Sequence, residues 1–109
     1  MAEIIKNVKG TKDIFGLENR LYRMIEKNFM ELSGLYGYEE IKTPALEYTE
    51  LFARGIGEYT DIVEKEMFTF SDSKGKKISM RPENTAGVVR SYIQNSMYND
   101  TGLKKLFYV

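Results

Sequence analysis

Apolar side chains recur at helical spacing through Leu17, Leu21, Met24, Ile25, Phe29, Leu32 and Leu35, and Asn28 is the one polar residue on that stripe. The opposite face carries Glu18, Arg20, Arg23, Lys27 and Glu31. The pattern predicts a helix over residues 17–36, closed by Gly37 in the left-handed conformation that ends many helices. Each large side chain fully buried on such a stripe contributes roughly 1.5–3 kcal/mol, so packing rather than intrinsic propensity should hold the element. Asn28, facing the same way, is expected to be hydrogen-bonded.

Beyond the helix, Tyr38-Glu39-Glu40-Ile41-Lys42 reads as a short strand ending before Pro44, which cannot donate to a central ladder. Residues 47–54 read as a short helix closed by Gly55, residues 55–57 as a turn, and residues 59–66 as a loop. Met67 to Phe70, a turn over Ser71 to Gly75, and Lys77 to Met80 form an antiparallel hairpin pattern, with Met67, Thr69, Ile78 and Met80 expected on one face. A second long helix begins near Asn84 or Thr85. Its stripe runs through Ala86, Val89, Ile93 and Met97, with Val88 and Tyr92 beside it, and Pro82 keeps the preceding residue out of helical geometry. Lys105 to Val109 has strand character, and an apolar strand with no polar tail suggests the beginning of something longer. No repeat or low-complexity linker divides the chain.

Composition narrows the chemistry. The 109 residues carry 16 basic and 16 acidic side chains, with neither histidine nor cysteine. That removes disulfides, thiol and imidazole catalysis and Cys/His zinc sites, so any metal must be held by oxygen. Balanced charge offers no global field for nucleic acid, and the local groups Lys74, Lys76 and Lys77 and Lys104 and Lys105 read as solvated surface. No apolar run approaches the roughly 20 residues of a membrane span, and the start lacks a signal-peptide core, so the expected compartment is cytoplasmic.

Ile78-Ser79-Met80-Arg81-Pro82-Glu83-Asn84-Thr85-Ala86-Gly87 is the most informative stretch, an apolar strand running into a polar turn that opens a helix. Two readings apply to Glu83 and Thr85. As capping, Asn84 or Thr85 satisfies free backbone donors while Glu83 favours the positive end of the helix dipole. As a site, the carboxylate and hydroxyl accept hydrogen bonds from a substrate α-ammonium, a charge-assisted contact suited to groups fixed by the backbone. Lys9-Gly10-Thr11-Lys12-Asp13 lacks the spacing of a phosphate loop and reads as a turn. Arg54-Gly55-Ile56-Gly57 is likewise a turn, and Glu58, Asp61, Glu64 and Glu66 fit no calcium loop.

Together with Leu51 to Glu58 and Asp61 to Met67, that stretch resembles the amino-acid-binding half of the histidyl-tRNA synthetases, a class II family, and the resemblance runs from about Lys9 to Val109. It implies that the first long helix and Gly37 to Pro44 are motif 1, which builds a homodimer interface of more than about 2,000 Å². The same apolar stripe could instead be spent on a monomer core. The resemblance also implies that Glu83 and Thr85 bind the substrate histidine, with the backbone around Asn84 shaping the pocket. Most relatives carry glycine where this chain has Asn84, and asparagine tolerates unusual backbone angles better than most residues. Thr11 and Asp13 match a segment near the active site without an assigned contact.

Residues 1–109 are thereby expected to be the N-terminal portion of a class II catalytic domain. Motif 2 would begin after Val109, and motif 3 and the anticodon-binding domain would lie further on. The implied enzyme joins histidine to ATP, with Mg²⁺, and transfers it to its tRNA; the 109-residue piece alone is expected to be inactive and to bind no cofactor. The expected fold is α+β, a mainly antiparallel sheet of hairpin and terminal strand flanked by helices, with the motif 1 strand at an edge. Leu106, Phe107 and Tyr108 would lack strand neighbours, and the unpaired edge would favour a dimer or swapped assembly. Alternatives are a regulatory paralogue of ATP phosphoribosyltransferase, whose equivalent turn usually carries aspartate, and a structural dimerisation module.

Overall fold

A computed structural model describes residues 2–53 and 67–109. The expectations for Arg54 to Glu66 lie outside the described residues.

Helix α1 spans Gly16–Leu35, with Tyr36 as its C-cap. Gly37 follows at φ +79°, and Gly37 and Tyr38 donate to the carbonyls of Gly34 and Ser33 at 3.0 and 2.9 Å. These paired bonds satisfy carbonyls that the last turn leaves free, and glycine is the residue that adopts the required angle without strain. The apolar stripe is not used as expected. Leu17, Leu21, Met24, Ile25, Phe29, Leu32 and Leu35 are all exposed, Ser33 is the buried residue of the helix, and Phe29 meets Phe107 edge-on with ring centres 5.6 Å apart. Asn28 is exposed too, so the burial that would have demanded a hydrogen-bond partner does not occur.

Strand β1 is Glu39–Glu40 and pairs parallel with β5, Leu106–Phe107. Glu39 donates to Lys105 and Ile41 to Phe107, each at 2.9 Å. The terminal strand therefore joins β1 instead of the hairpin sheet, and its expected isolation is corrected: one edge of β5 is paired.

The larger sheet is antiparallel, in the order β2–β4–β3, with β2 at Leu46–Tyr48, β3 at Thr69–Ser71 and β4 at Lys77–Met80. The hairpin is as the pattern predicts, and Asp72 Oδ1 ties its turn by accepting from the backbone N–H groups of Lys74 and Lys76 at 2.8 and 2.9 Å. Residues 46–48 form a strand where helix was expected to begin at 47; the short helix α2 is confined to Glu50–Ala53. Backbone pairing with β4 outweighs the weak helical preference of so short a segment.

Register sets the two faces. Glu47, Ser79 and Thr69 lie opposite one another, as do Tyr48, Ile78 and Phe70. Opposed residues share a face, so Thr69 lies with Ser79 and not, as expected, with Ile78 and Met80. The polar face is covered at Glu47 and Ser79: Ser79 is 0% exposed, and its hydroxyl bonds those of Thr49 and Thr69 at 2.8 and 2.7 Å. Leu46, Tyr48, Phe70 and Met80 on the apolar face remain exposed, with the Lys76 ammonium 4.0 Å above the Tyr48 ring.

Helix α3, Thr85–Gln94, lies against the Glu47 side of the polar face, through Gly87 and Arg90. Gly87 is its buried residue: a Cβ there would stand 3.0 Å from Glu47 Oε1 and 3.3 Å from Thr43 Oγ1. Val89 and Ile93 point outward at 51% and 59% exposure, so the helix does not seat on its apolar stripe. Met97 leaves that stripe altogether, because Ser96 at φ +53° breaks the helix before a 3₁₀ turn at Met97–Asn99. Phe52 of α2 is the buried apolar side chain among the described residues. The chain is open, with a radius of gyration of 18.3 Å. A compact chain of this length would measure about 13 Å.

Candidate amino-acid site

The turn between β4 and α3 gathers the predicted site residues. Arg81 holds its start: the backbone N–H donates to Ala45 at 2.9 Å, and Nη1 donates to the Thr43 carbonyl at 3.1 Å. Extended pairing thus continues past Met80 and delivers Pro82 and Glu83 to the mouth of the helix.

Glu83 is the cap of α3. Its Oε2 accepts the N–H of Thr85 at 2.6 Å and its Oε1 the N–H of Ala86 at 3.0 Å. A negative charge at this end complements the helix dipole. Each oxygen keeps further lone-pair capacity, and the side chain is exposed, so the carboxylate is oriented without being used up.

Asn84 does not cap. Its Oδ1 turns the other way and accepts from Thr43 Oγ1 at 2.8 Å and from Arg81 Nη1 at 3.1 Å. Its backbone is right-handed, φ −104° and ψ −19°, so the special angles for which asparagine was expected to be tolerated are not needed. Thr85 is exposed, and its Oγ1 lies 3.1 Å from the Tyr108 hydroxyl.

Under the turn, Glu47 of β2 and Arg90 of α3 form an ion pair, Oε2 to Nε 2.7 Å, with side-chain exposures of 6% and 28%. The hydrogen bond of this pair runs from Nη2 to Oε1 at 2.9 Å; the shorter Nε contact is close in distance but its N–H has no aligned acceptor. Nη1 of Arg90 donates to Gln94 at 2.7 Å, fixing the guanidinium from its own helix.

Glu83, Asn84 and Thr85 are therefore adjacent on one supported turn, but the Asn84 side chain is directed away from the other two. Thr43, Arg81, Tyr108 and the Glu47–Arg90 pair were not marked as site elements by the sequence. Arg81 lies inside the most informative stretch and Thr43 next to Pro44, but nothing local points from Tyr108 to Thr85. Thr11 bonds locally, accepting from Asn7 and donating to Val8. Lys104 has its pKa raised by hydrogen bonding and charge attraction to Asp100, 2.9 Å away at the surface. Among the described residues, no three acidic side chains converge on a point where a metal could sit, so no residue here is assigned to Mg²⁺. No described helix is long and apolar enough to cross a membrane.

The fold recurs in solved proteins. The chain superposes on apo histidyl-tRNA synthetase from S. aureus with a TM-score of 0.82 and 42% identity, over 96% of this chain and 24% of that one. A protein from Bacillus halodurans described as an ATP phosphoribosyltransferase regulatory subunit/histidyl-tRNA synthetase superposes with a TM-score of 0.75 and 25% identity, over 99% of this chain and 27% of that one. The α+β fold, an antiparallel sheet flanked by helices, is thus part of a class II synthetase catalytic core. The histidyl-tRNA synthetase family matches residues 10–109, and the chain belongs to that family. Histidine–tRNA ligase from Clostridioides difficile is 51% identical over 106 residues, 97% of this chain. The chain spans about a quarter of the length of the curated relatives it matches.

Proposed function

We propose that residues 1–109 are the N-terminal portion of a class II catalytic domain whose whole protein activates histidine with ATP and transfers it to its tRNA. In this reading Glu83 and Thr85 accept hydrogen bonds from the α-ammonium of histidine. The observation that carries it is the Glu83 carboxylate, held by two backbone N–H groups at the start of α3 with the Thr85 hydroxyl beside it. An ammonium offers three donors and no acceptor, and an oriented carboxylate with free lone pairs is its natural partner. Asn84 shapes the pocket from behind, through Thr43 and Arg81.

ATP and Mg²⁺ enter as substrate and its cation, and no residue of this chain is assigned to them. The 109 residues alone are expected to be inactive, since binding an amine does not supply the charge stabilisation that adenylate formation requires. The homodimer through α1 and β1 is supported by the exposed apolar stripe of α1, where Leu17, Leu21, Met24, Ile25, Leu32 and Leu35 stay exposed among the described residues even though Phe29 meets Phe107. A cytoplasmic location accords with this reading.

The test is amino-acid-dependent ATP–pyrophosphate exchange by the full-length protein with every standard amino acid. Exchange with histidine alone is expected. No exchange with any of them would favour the regulatory reading, towards which the Bacillus halodurans neighbour points.

A further inference from the structure

Thr85 has one hydroxyl proton and two lone pairs, and an α-ammonium can use only the lone pairs. For Thr85 to accept from a ligand, its own proton must be directed elsewhere. The partner within reach is Tyr108, whose phenolic oxygen lies 3.1 Å from Thr85 Oγ1, twenty-three residues away in sequence. Tyr108 follows β5, which is fixed to the motif 1 segment by the bond from Ile41 to the Phe107 carbonyl at 2.9 Å. The phenol is thus presented by a paired strand rather than by a free loop, and such support is what holds a ligating group in place. Thr85 and Tyr108 are both exposed, so a ligand can reach the pair.

We propose that Tyr108 is a positioning residue of the amino-acid site: its phenolic oxygen accepts the hydrogen bond donated by the Thr85 hydroxyl, which turns the Thr85 lone pairs toward the α-ammonium. The inference rests on the reading of Glu83 and Thr85 above and adds to it a residue from a third element. It also gives the β1–β5 pairing a role, since that pairing sets where the phenol sits relative to the start of α3.

Calorimetric titration of the full-length protein with L-histidine tests it, using Y108F, T85V and the double variant. Phenylalanine keeps the ring and its packing. Y108F should weaken histidine binding about 3- to 10-fold, the loss expected of one hydrogen bond, and should raise KM for histidine in pyrophosphate exchange without changing KM for ATP. In the T85V background Y108F should have no further effect, because the hydroxyl it orients is gone. Unchanged histidine binding by Y108F, with binding weakened by T85V, overturns this inference and leaves the site reading intact. Equal losses from Y108F in both backgrounds, or a parallel rise in KM for ATP, also overturn it, since either assigns Tyr108 a general structural role. Full binding by both T85V and E83Q overturns the site reading itself.

Discussion

Glu47 and Arg90, forty-three residues apart, close on each other across the interface of β2 and α3, with Oε2 2.7 Å from Nε. The pair lies between β2 and the helix that begins at Thr85, just after Glu83, so it ties the candidate site to the sheet. Removing one partner of a buried pair costs roughly 3–5 kcal/mol because the other charge is left uncompensated. Arg90 retains partial exposure, which lowers the expectation for Glu47→Ala to about 2–3 kcal/mol. Glu47→Ala combined with Arg90→Met should cost less than the sum of the single changes, as read from urea unfolding midpoints. Strict additivity would show that the pair does not couple the two elements.

Gly87→Ala should destabilise even though alanine is the better helix former by about 1 kcal/mol. The new methyl would meet Glu47 Oε1 at 3.0 Å, and that oxygen cannot swing aside without leaving Arg90. Overpacking of this kind costs typically 1–3 kcal/mol, so a net loss of about 1 kcal/mol in thermal unfolding is expected. A rise in Tm would mean that α3 sits further from β2.

Asn84 divides into two effects by substitution. Asn84→Ala removes the acceptor shared by Thr43 and Arg81 and should cost about 1–2 kcal/mol. Asn84→Asp keeps the acceptor and adds attraction to Arg81, so it should retain wild-type Tm. Under the proposed function, histidine affinity should fall with alanine and recover with aspartate; the reverse order in a binding titration would assign the Asn84 side chain to the ligand.

Ser79→Ala leaves the hydroxyls of Thr49 and Thr69 without their shared partner at a fully buried position. The expected cost is about 1–2 kcal/mol, measured as a shift in denaturant midpoint with unchanged slope. An unchanged midpoint would show that the two threonines find each other directly.

Much of the fold is legible in the sequence where the cause is local. The length of α1 and its close at Gly37 follow from a periodic stripe and one left-handed residue, and the hairpin follows from alternation around an Asp-and-Gly turn. Pro82 and the polar run after it place the start of α3, and the same residues carry the family resemblance. What each side chain does there was less legible. Capping was assigned to Asn84 or Thr85, but the Glu83 carboxylate performs it, because Asn84 is drawn toward Thr43 and Arg81.

Periodicity determined that α1 and α3 are helical and that β3 and β4 are extended, since backbone preference and side-chain spacing act within a few residues. Tertiary structure decided the rest: that β5 joins β1 in parallel, that residues 46–48 become a strand on β4, and that α3 seats on Gly87 and Arg90 instead of Val89 and Ile93. Those outcomes depend on partners tens of residues away. An apolar stripe shows that a face can be buried, but not which surface covers it, and a carboxylate such as Glu47 becomes an interior residue only when a guanidinium arrives to neutralise it.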